Sequence, residues 1–171
     1  MKNYILFILF FLPILAFSQK RDSLVINFPQ KYKLVLKNDQ QDSRQILREW
    51  IPNGQNWENY DIIATMSVVK NANSVSIDQF KNLIVKGLKE KTKGFKYTEL
   101  DKNDNAKDGY LIFKCESDSY KNSNDKESQI YFLIKGKSDL FANIIALKTD
   151  KFSDEFVEEW RKIFKESKFV E

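Results

Sequence analysis

Two segments of the chain carry apolar side chains at helical spacing on one side only. In the first, Ser76 and Gln79 match the pattern of a capping box, and Gly94 suits the position just past the helix end. In the second, Ser153 is the expected N-cap, with Phe152 before it as half of a hydrophobic staple. The expected stripes are Ile77, Phe80, Leu83, Ile84 and Leu88, and then Phe156, Val157, Trp160, Ile163 and Phe164. Each one-sided helix needs a sheet to cover.

The segments around the helices alternate apolar and polar residues with the period of a β-strand. The predicted strands are 24–29, 32–36, 45–51, 62–69, 95–100, 110–115, 129–135 and 140–148, with a polar turn over 38–43. Pro29 is expected to end an edge strand. Leu140 to Leu147 is apolar on both faces apart from Asn143, which predicts a central strand that follows a hairpin at 136–139. The pattern predicts the α+β class, with a mostly antiparallel sheet covered by two amphipathic helices.

The first 18 residues have the pattern of a secretory signal peptide. Lys2 supplies positive charge, an apolar run follows from Tyr4 to Leu15, and Ala16 and Ser18 are the small residues of a cleavage site. The run is shorter than the roughly 20 residues that span a bilayer, although a retained anchor is the alternative. We expect residues 19–171 to form one α+β domain, exported to a periplasm or secreted, with no stable membrane anchor after signal removal.

Composition narrows the chemistry that the chain can perform. It has no histidine, which excludes Ser-His-Asp and Cys-His catalysis and most catalytic zinc sites. Its one cysteine, Cys115, alternates with Leu111 and Phe113, so we expect a buried thiol and no internal disulfide. Asp101 to Ala106 begins like a calcium loop but lacks the required Gly and Glu, and a strand connection is predicted instead. We expect a non-enzyme with no cofactor and no metal.

The most distinctive local signal is an aromatic stretch around a turn. Pro52 and Gly54 have turn chemistry, and Trp50, Trp57 and Tyr60 lie on either side of them. Flat amphipathic rings bind well at low entropic cost, so a ligand site is one interpretation and core packing is the other. The candidate ligand-binding residues are Trp50, Gln55, Trp57 and Tyr60. Their expected partner is an unidentified protein or a small apolar ligand, and Trp57 is expected to be the most exposed.

Two alternative functions stay open. Glu49, Glu58 and Asp61 flank the aromatic stretch, and two of them in one cleft would suit a carboxylate-based hydrolase near Asp61. The Lys-rich helix 76–93 would suit association with an anionic surface. Nucleic acid is not expected, because the formal charge is only +4, with both signs interspersed, and no nucleic-acid-binding motif occurs.

The predicted order of elements resembles the PsbP-like α/β/α sandwich, a fold named for an extrinsic protein of the oxygen-evolving complex. The run from Ile51 to Gln55, followed by Glu58, Asn59 and Tyr60, is similar to a pattern of exported bacterial proteins of uncharacterised function. The resemblance implies a fold and an export route. It implies no activity, because that fold hosts several unrelated binding roles.

Overall fold

A seven-stranded sheet organises residues 22–104 and 109–170, which are the residues that the structure, a computed structural model, describes. In chain order the elements are β1 (Ser23–Val25), β2 (Leu34–Gln41), β3 (Gln45–Pro52), β4 (Ile62–Val69), α1 (Ile77–Lys91), β5 (Thr92–Lys93), β6 (Lys96–Asn103), β7 (Tyr110–Glu116), β8 (Ser119–Tyr120), β9 (Ser128–Lys135), β10 (Leu140–Leu147), α2 (Asp154–Lys165) and β11 (Lys168–Val170). The predicted signal peptide lies outside the described residues.

The main sheet has the order β2-β3-β4-β10-β9-β7-β6, and all its pairings are antiparallel. The α+β class and the mostly antiparallel sheet are therefore confirmed. β10 is the fourth of the seven strands, as its two apolar faces predict, and a hairpin joins it to β9, where Gly136 N donates to Asp139 O at 2.9 Å. No helix in the described part of the chain combines the length and apolar composition that crossing a bilayer takes.

Both predicted helix starts are confirmed. Ser76 Oγ accepts from Gln79 N at 3.0 Å while Gln79 Oε1 accepts from Ser76 N at 3.0 Å, which completes the capping box. Ser153 Oγ accepts from Phe156 N at 3.2 Å at the start of α2. The predicted end of α1 is wrong, because the helix stops at Lys91. The reason is that Thr92 is extended and begins a short pairing with β8, while Gly94, at φ +65°, lies beyond that pairing.

The apolar stripe of α2 is confirmed, and that of α1 is wrong at one position. Leu83 is 67% exposed, although it falls within helical spacing of its apolar neighbours. Val85 packs against the sheet instead, because α1 is rotated so that its contact surface is centred on Ile84 and Leu88. α1 therefore presents a leucine to solvent, whereas α2 buries Val157, Trp160 and Phe164 completely or nearly so.

Two predictions at the N-terminal end, one of a strand and one of a turn, are wrong. The first strand covers Ser23–Val25, not 24–29, and it pairs with β11 outside the main sheet. The predicted polar turn at 38–43 is largely strand, since β2 continues to Gln41 past a bulge between Leu36 and Asn38. β2 is an edge strand, and polar residues are tolerated there because part of its surface faces water.

The two faces of the main sheet are covered to different extents. We call the side on which α2 packs the α2 face and the opposite side the α1 face. On the α2 face, α2 is joined by the N-terminal segment 24–34, which packs against the same core. Tyr32 in that segment donates from Oη to Glu159 Oε2 on α2 at 2.7 Å. On the α1 face, α1 packs on β7 and β9, whereas Leu47 of β3 and Thr65 and Ser67 of β4 are partly exposed.

Gly87 in α1 provides a test of the helix environment. A Cβ added there would meet no heavy atom within 4 Å. Gly87→Ala should therefore raise the unfolding free energy by about 0.5–1 kcal/mol, because alanine loses less backbone entropy on folding. Urea denaturation measures the change. Gly94→Ala is the matched control and should destabilise, because that residue has φ +65° and its Cβ would overlap the Asp118 side chain. A loss at Gly87 would contradict this description of α1.

Candidate functional site

The loop between β3 and β4 is built by turn chemistry. Pro52 O accepts from Gln55 N at 3.1 Å, and Gly54 adopts φ +84°, which favours glycine. Asn56 Oδ1 then accepts from the backbone N of Glu58 at 2.9 Å and of Asn59 at 3.2 Å. These bonds form a second tight turn, with Trp57 at its tip.

Gln55 and Asp61 close the base of this loop. Gln55 Nε2 donates to Asp61 Oδ2 at 2.6 Å, and Asp61 N donates to Gln55 Oε1 at 2.9 Å. The reciprocal pair fixes the loop in one shape. Gln55, predicted as a ligand-binding residue, is therefore committed to holding the loop together.

Tyr60 anchors the end of the loop to the α1 face. Its ring packs beside Ile51 and Ile63, and its Oη donates to Glu127 Oε2 at 3.2 Å. Tyr120 Oη donates to Glu127 Oε1 at 2.9 Å. Lys148 Nζ lies 4.3 Å from the centroid of the Tyr60 ring. Burial, together with the neighbouring Glu127 carboxylate, raises the pKa of Tyr60 to about 12.

The structure does not bring the four predicted ligand-binding residues together. Trp50 lies on the α2 face, where its ring centroid is 5.3 Å from that of Phe28. Tyr60 lies on the opposite face, so the two rings cannot share one platform. Trp57 is 47% exposed, which makes it the ring of this stretch that solvent or a partner reaches most easily.

An uncovered part of the α1 face lies next to this loop, and we call it the open half-sheet. In β4, the residues Ile62, Ala64, Met66 and Val68 on the α2 face are all buried. Thr65 and Ser67, on the α1 face of the same strand, are partly exposed, as are Leu47 in β3 and Ile144 in β10, which point to the same side. The four residues Leu47, Thr65, Ser67 and Ile144 form its floor.

The sequence does contain a signal for the open half-sheet. Thr65 and Ser67 are two apart in an otherwise apolar strand, which places both on one face. Polar residues on one side only are typical of a strand with one solvated face.

The carboxylates of Glu49 and Asp61 have separate partners. Glu49 Oε2 accepts from Asn38 Nδ2 at 2.8 Å, and Asp61 is bonded to Gln55. Glu58 receives a bond at its backbone oxygen, from Lys148 Nζ at 3.1 Å. Within the described residues, no group of three His, Cys, Asp or Glu is placed to hold a metal ion.

Cys115 is buried in the core, and Asp101, the first residue of the segment that begins like a calcium loop, is bonded to neighbouring side chains. Cys115 is 3% exposed, and burial raises the pKa of its thiol to about 12, so the reactive thiolate is disfavoured. Asp101 lies in β6, where its carboxylate accepts from Lys165 Nζ at 2.7 Å and from Tyr110 Oη at 3.3 Å. Residues 105–108 of the predicted connection lie outside the described residues.

Alkaline pH is expected to destabilise the fold through its tyrosines. Burial raises the pKa of Tyr60 and of Tyr97 to about 12 and raises that of Tyr120 as well. The pKa of an unfolded tyrosine is about 10. The stability these groups contribute is therefore complete below about pH 10 and is lost as the pH rises through about 12.

Tyr60→Phe should make this loss of stability with pH less steep, because phenylalanine has no proton to lose. Unfolding free energies measured by urea titration between about pH 9 and pH 12 give the slope. A variant with the parent's slope would show that Tyr60 titrates at its ordinary pKa.

Comparison with known protein families finds no matching family model, and comparison with curated proteins finds no match either.

Proposed function

We propose that the protein is an exported, non-enzymatic binding module that holds a partner protein or small apolar ligand on its open half-sheet, next to the Trp57 loop. The observation that supports this most directly is the contrast within β4. Its α2-face residues are buried, whereas Thr65 and Ser67 on its α1 face are partly exposed. A sheet covered well on one side and partly on the other leaves a contiguous surface available to a partner.

The composition of this surface suits recognition. Leu47 and Ile144 supply apolar area, and Thr65 and Ser67 supply hydroxyl groups that donate or accept hydrogen bonds. Trp57 stands at the edge, held on a loop that several hydrogen bonds shape. A rigidly mounted aromatic ring loses little entropy when it binds, and tryptophan is enriched among the residues that dominate interface energetics.

The proposal includes a specific fold, the PsbP-like sandwich, and export through a signal peptide. Helices on opposite faces of an antiparallel sheet agree with a PsbP-like α/β/α sandwich, and residues 1–18 agree with a signal peptide. The sandwich by itself assigns no activity, so the binding role depends on the open half-sheet.

Titration with the neutral dye N-phenyl-1-naphthylamine tests the proposal. The dye fluoresces in apolar surroundings and accepts energy from tryptophan, so excitation of the three tryptophans reports bound dye, and the part of the signal lost in Trp57→Phe reports dye near Trp57. We expect saturable emission from the parent protein. Thr65→Arg should abolish it, because a long charged side chain would stand in the middle of the floor. Trp57→Phe should weaken the energy transfer while direct excitation still detects bound dye.

The matched control is Leu36→Arg. Leu36 is 46% exposed on β2 but points to the α2 face, so it adds the same charge away from the open half-sheet. This variant should bind dye as the parent does, and circular dichroism should show all variants folded. Equal binding by Thr65→Arg and the parent, or no binding by the parent, would rule out this site for apolar groups.

A further inference from the structure

The outward side and C-terminal end of α1 carry exposed lysines, which we call the basic cluster. Its members are Lys86, Lys89, Lys91, Lys93 and Lys121. Lys121 joins the others because its backbone N donates to Lys91 O at 2.8 Å, where β8 pairs with β5. None of the five forms an ion pair with another described residue. By contrast, Lys81 on the same helix pairs with Asp78 at 3.2 Å.

The helix dipole accounts for only part of this cluster. A lysine in the last turn of a helix is stabilised by the negative end of the dipole. Lys86 lies more than a turn before the end of α1, and Lys93 and Lys121 lie beyond it. The acids alongside the cluster are Glu90, Asp118, Asp125 and Glu127, while nearby Glu116 is paired with Lys114 at 3.0 Å. Since the lysines outnumber them, this end of the molecule keeps an excess of positive charge.

Two exposed apolar side chains accompany these charges. Leu83 is 67% exposed and stands one turn before Lys86 on the outward side of α1. The Trp57 loop lies at the same end of the molecule, since Tyr60 and Tyr120 share Glu127, and Tyr120 pairs with Thr92 at the end of α1. Lysine with leucine and tryptophan is the combination found where a protein lies on a bilayer surface, with cations at the headgroups and apolar groups below them.

We propose that the basic cluster docks the protein peripherally on an anionic phospholipid bilayer, with Leu83 facing the acyl boundary. Charge complementarity selects the anionic headgroups. Leu83 and Trp57 favour a bilayer over a nucleic acid, which offers phosphates but no apolar layer. This inference does not depend on the binding role of the open half-sheet: the two proposals share Trp57, but none of the four floor residues Leu47, Thr65, Ser67 and Ile144 takes part in the basic cluster.

Vesicle co-sedimentation tests it with two lipid compositions. We expect binding to phosphatidylcholine vesicles that contain about 30% phosphatidylglycerol, and none to pure phosphatidylcholine. Binding at about 20 mM NaCl should fall at least about tenfold at about 500 mM NaCl, because salt screens exposed charges. Replacing Lys86, Lys89 and Lys91 with glutamine should also weaken it at least about tenfold, because each lysine near an anionic surface contributes up to about fivefold. Leu83→Asn should reduce the binding that persists at high salt.

The matched control replaces three other exposed lysines, Lys37, Lys162 and Lys168, with glutamine. Lys162 of α2, on the opposite face of the sheet, is chosen instead of Lys151, which lines a cavity with Gly94 and Asp118 beside the basic cluster. This triple variant removes the same net charge away from the basic cluster and should bind vesicles as the parent does. Three outcomes would overturn the proposal: no binding to the anionic vesicles, equal loss in both triple variants, or equally tight, cluster-dependent binding to a duplex DNA oligonucleotide. The last result would identify a general polyanion site.

Discussion

Trp160→Ala is expected to lower the unfolding free energy by about 3–5 kcal/mol, the range for removing a large buried aromatic ring. Trp160 is fully buried on α2, and its ring centroid lies 5.8 Å from that of Tyr32 and 5.6 Å from that of Phe164. The contact with Tyr32 joins α2 to the N-terminal segment, and the buried cluster that contains Trp160 also includes Phe132 and Ile145 of the sheet. Alanine would leave a cavity where three parts of the core meet.

Urea denaturation of Trp160→Ala beside Trp57→Ala measures this effect. Trp57 is 47% exposed, so its removal should change the unfolding free energy by no more than about 0.5 kcal/mol. The comparison removes the same side chain from two environments. Similar losses in the two variants would mean that α2 and the N-terminal segment do not form the core described above.

Asn143→Asp is expected to cost about 3–5 kcal/mol at neutral pH. Asn143 is 1% exposed in the centre of β10, where Nδ2 reaches Phe132 O at 3.5 Å and Oδ1 has no partner among the described residues. The aspartate has the same shape, so no cavity or clash arises. Its carboxylate would be buried without a cation, with one oxygen directed at a carbonyl oxygen.

The pH dependence of Asn143→Asp has a definite sign. Burial raises the folded-state pKa of a carboxyl above its unfolded value of about 3.9, so the folded state binds the proton more tightly. The unfolding free energy of the variant should therefore fall, relative to the parent, as the pH rises from the unfolded pKa towards the higher folded-state pKa. Asn143→Leu is the control and should equal or exceed the parent in stability, since it removes an unpaired polar atom. An Asn143→Asp variant as stable as the parent at pH 7 would contradict the burial of this site.

Local patterns in the sequence predict most of the secondary structure. The caps at Ser76 and Ser153 act within one turn, and both form as the sequence indicates. The two apolar faces of 140–147 correctly predict a central strand. The pairing of β1 with β11 is not predictable in this way, because it joins Leu24 to Phe169 across almost the whole chain and is carried by no local motif.

The arrangement of the candidate site depends on long-range packing. Trp50 and Tyr60 are close in sequence, but the loop between them breaks the alternation that assigns residues to faces, and they lie on opposite sides. Leu83 follows Phe80 by three residues, which is helical spacing, yet the rotation of α1 on β7 and β9 leaves it in solvent. Spacing identifies an apolar stripe, whereas the extent of the sheet beneath the helix decides which residues are covered.

Thiol labelling of two β4 variants measures directly whether the α1 face of β4 is open. Cys115 is 3% exposed and should not react with a disulfide reagent in the folded protein. Any labelling of the folded variants therefore comes from the introduced thiol. Ser67→Cys, on the α1 face, should react under native conditions, whereas Ala64→Cys, on the buried α2 face, should react only after unfolding. A Ser67→Cys thiol as unreactive as Cys115 would mean that the open half-sheet is covered.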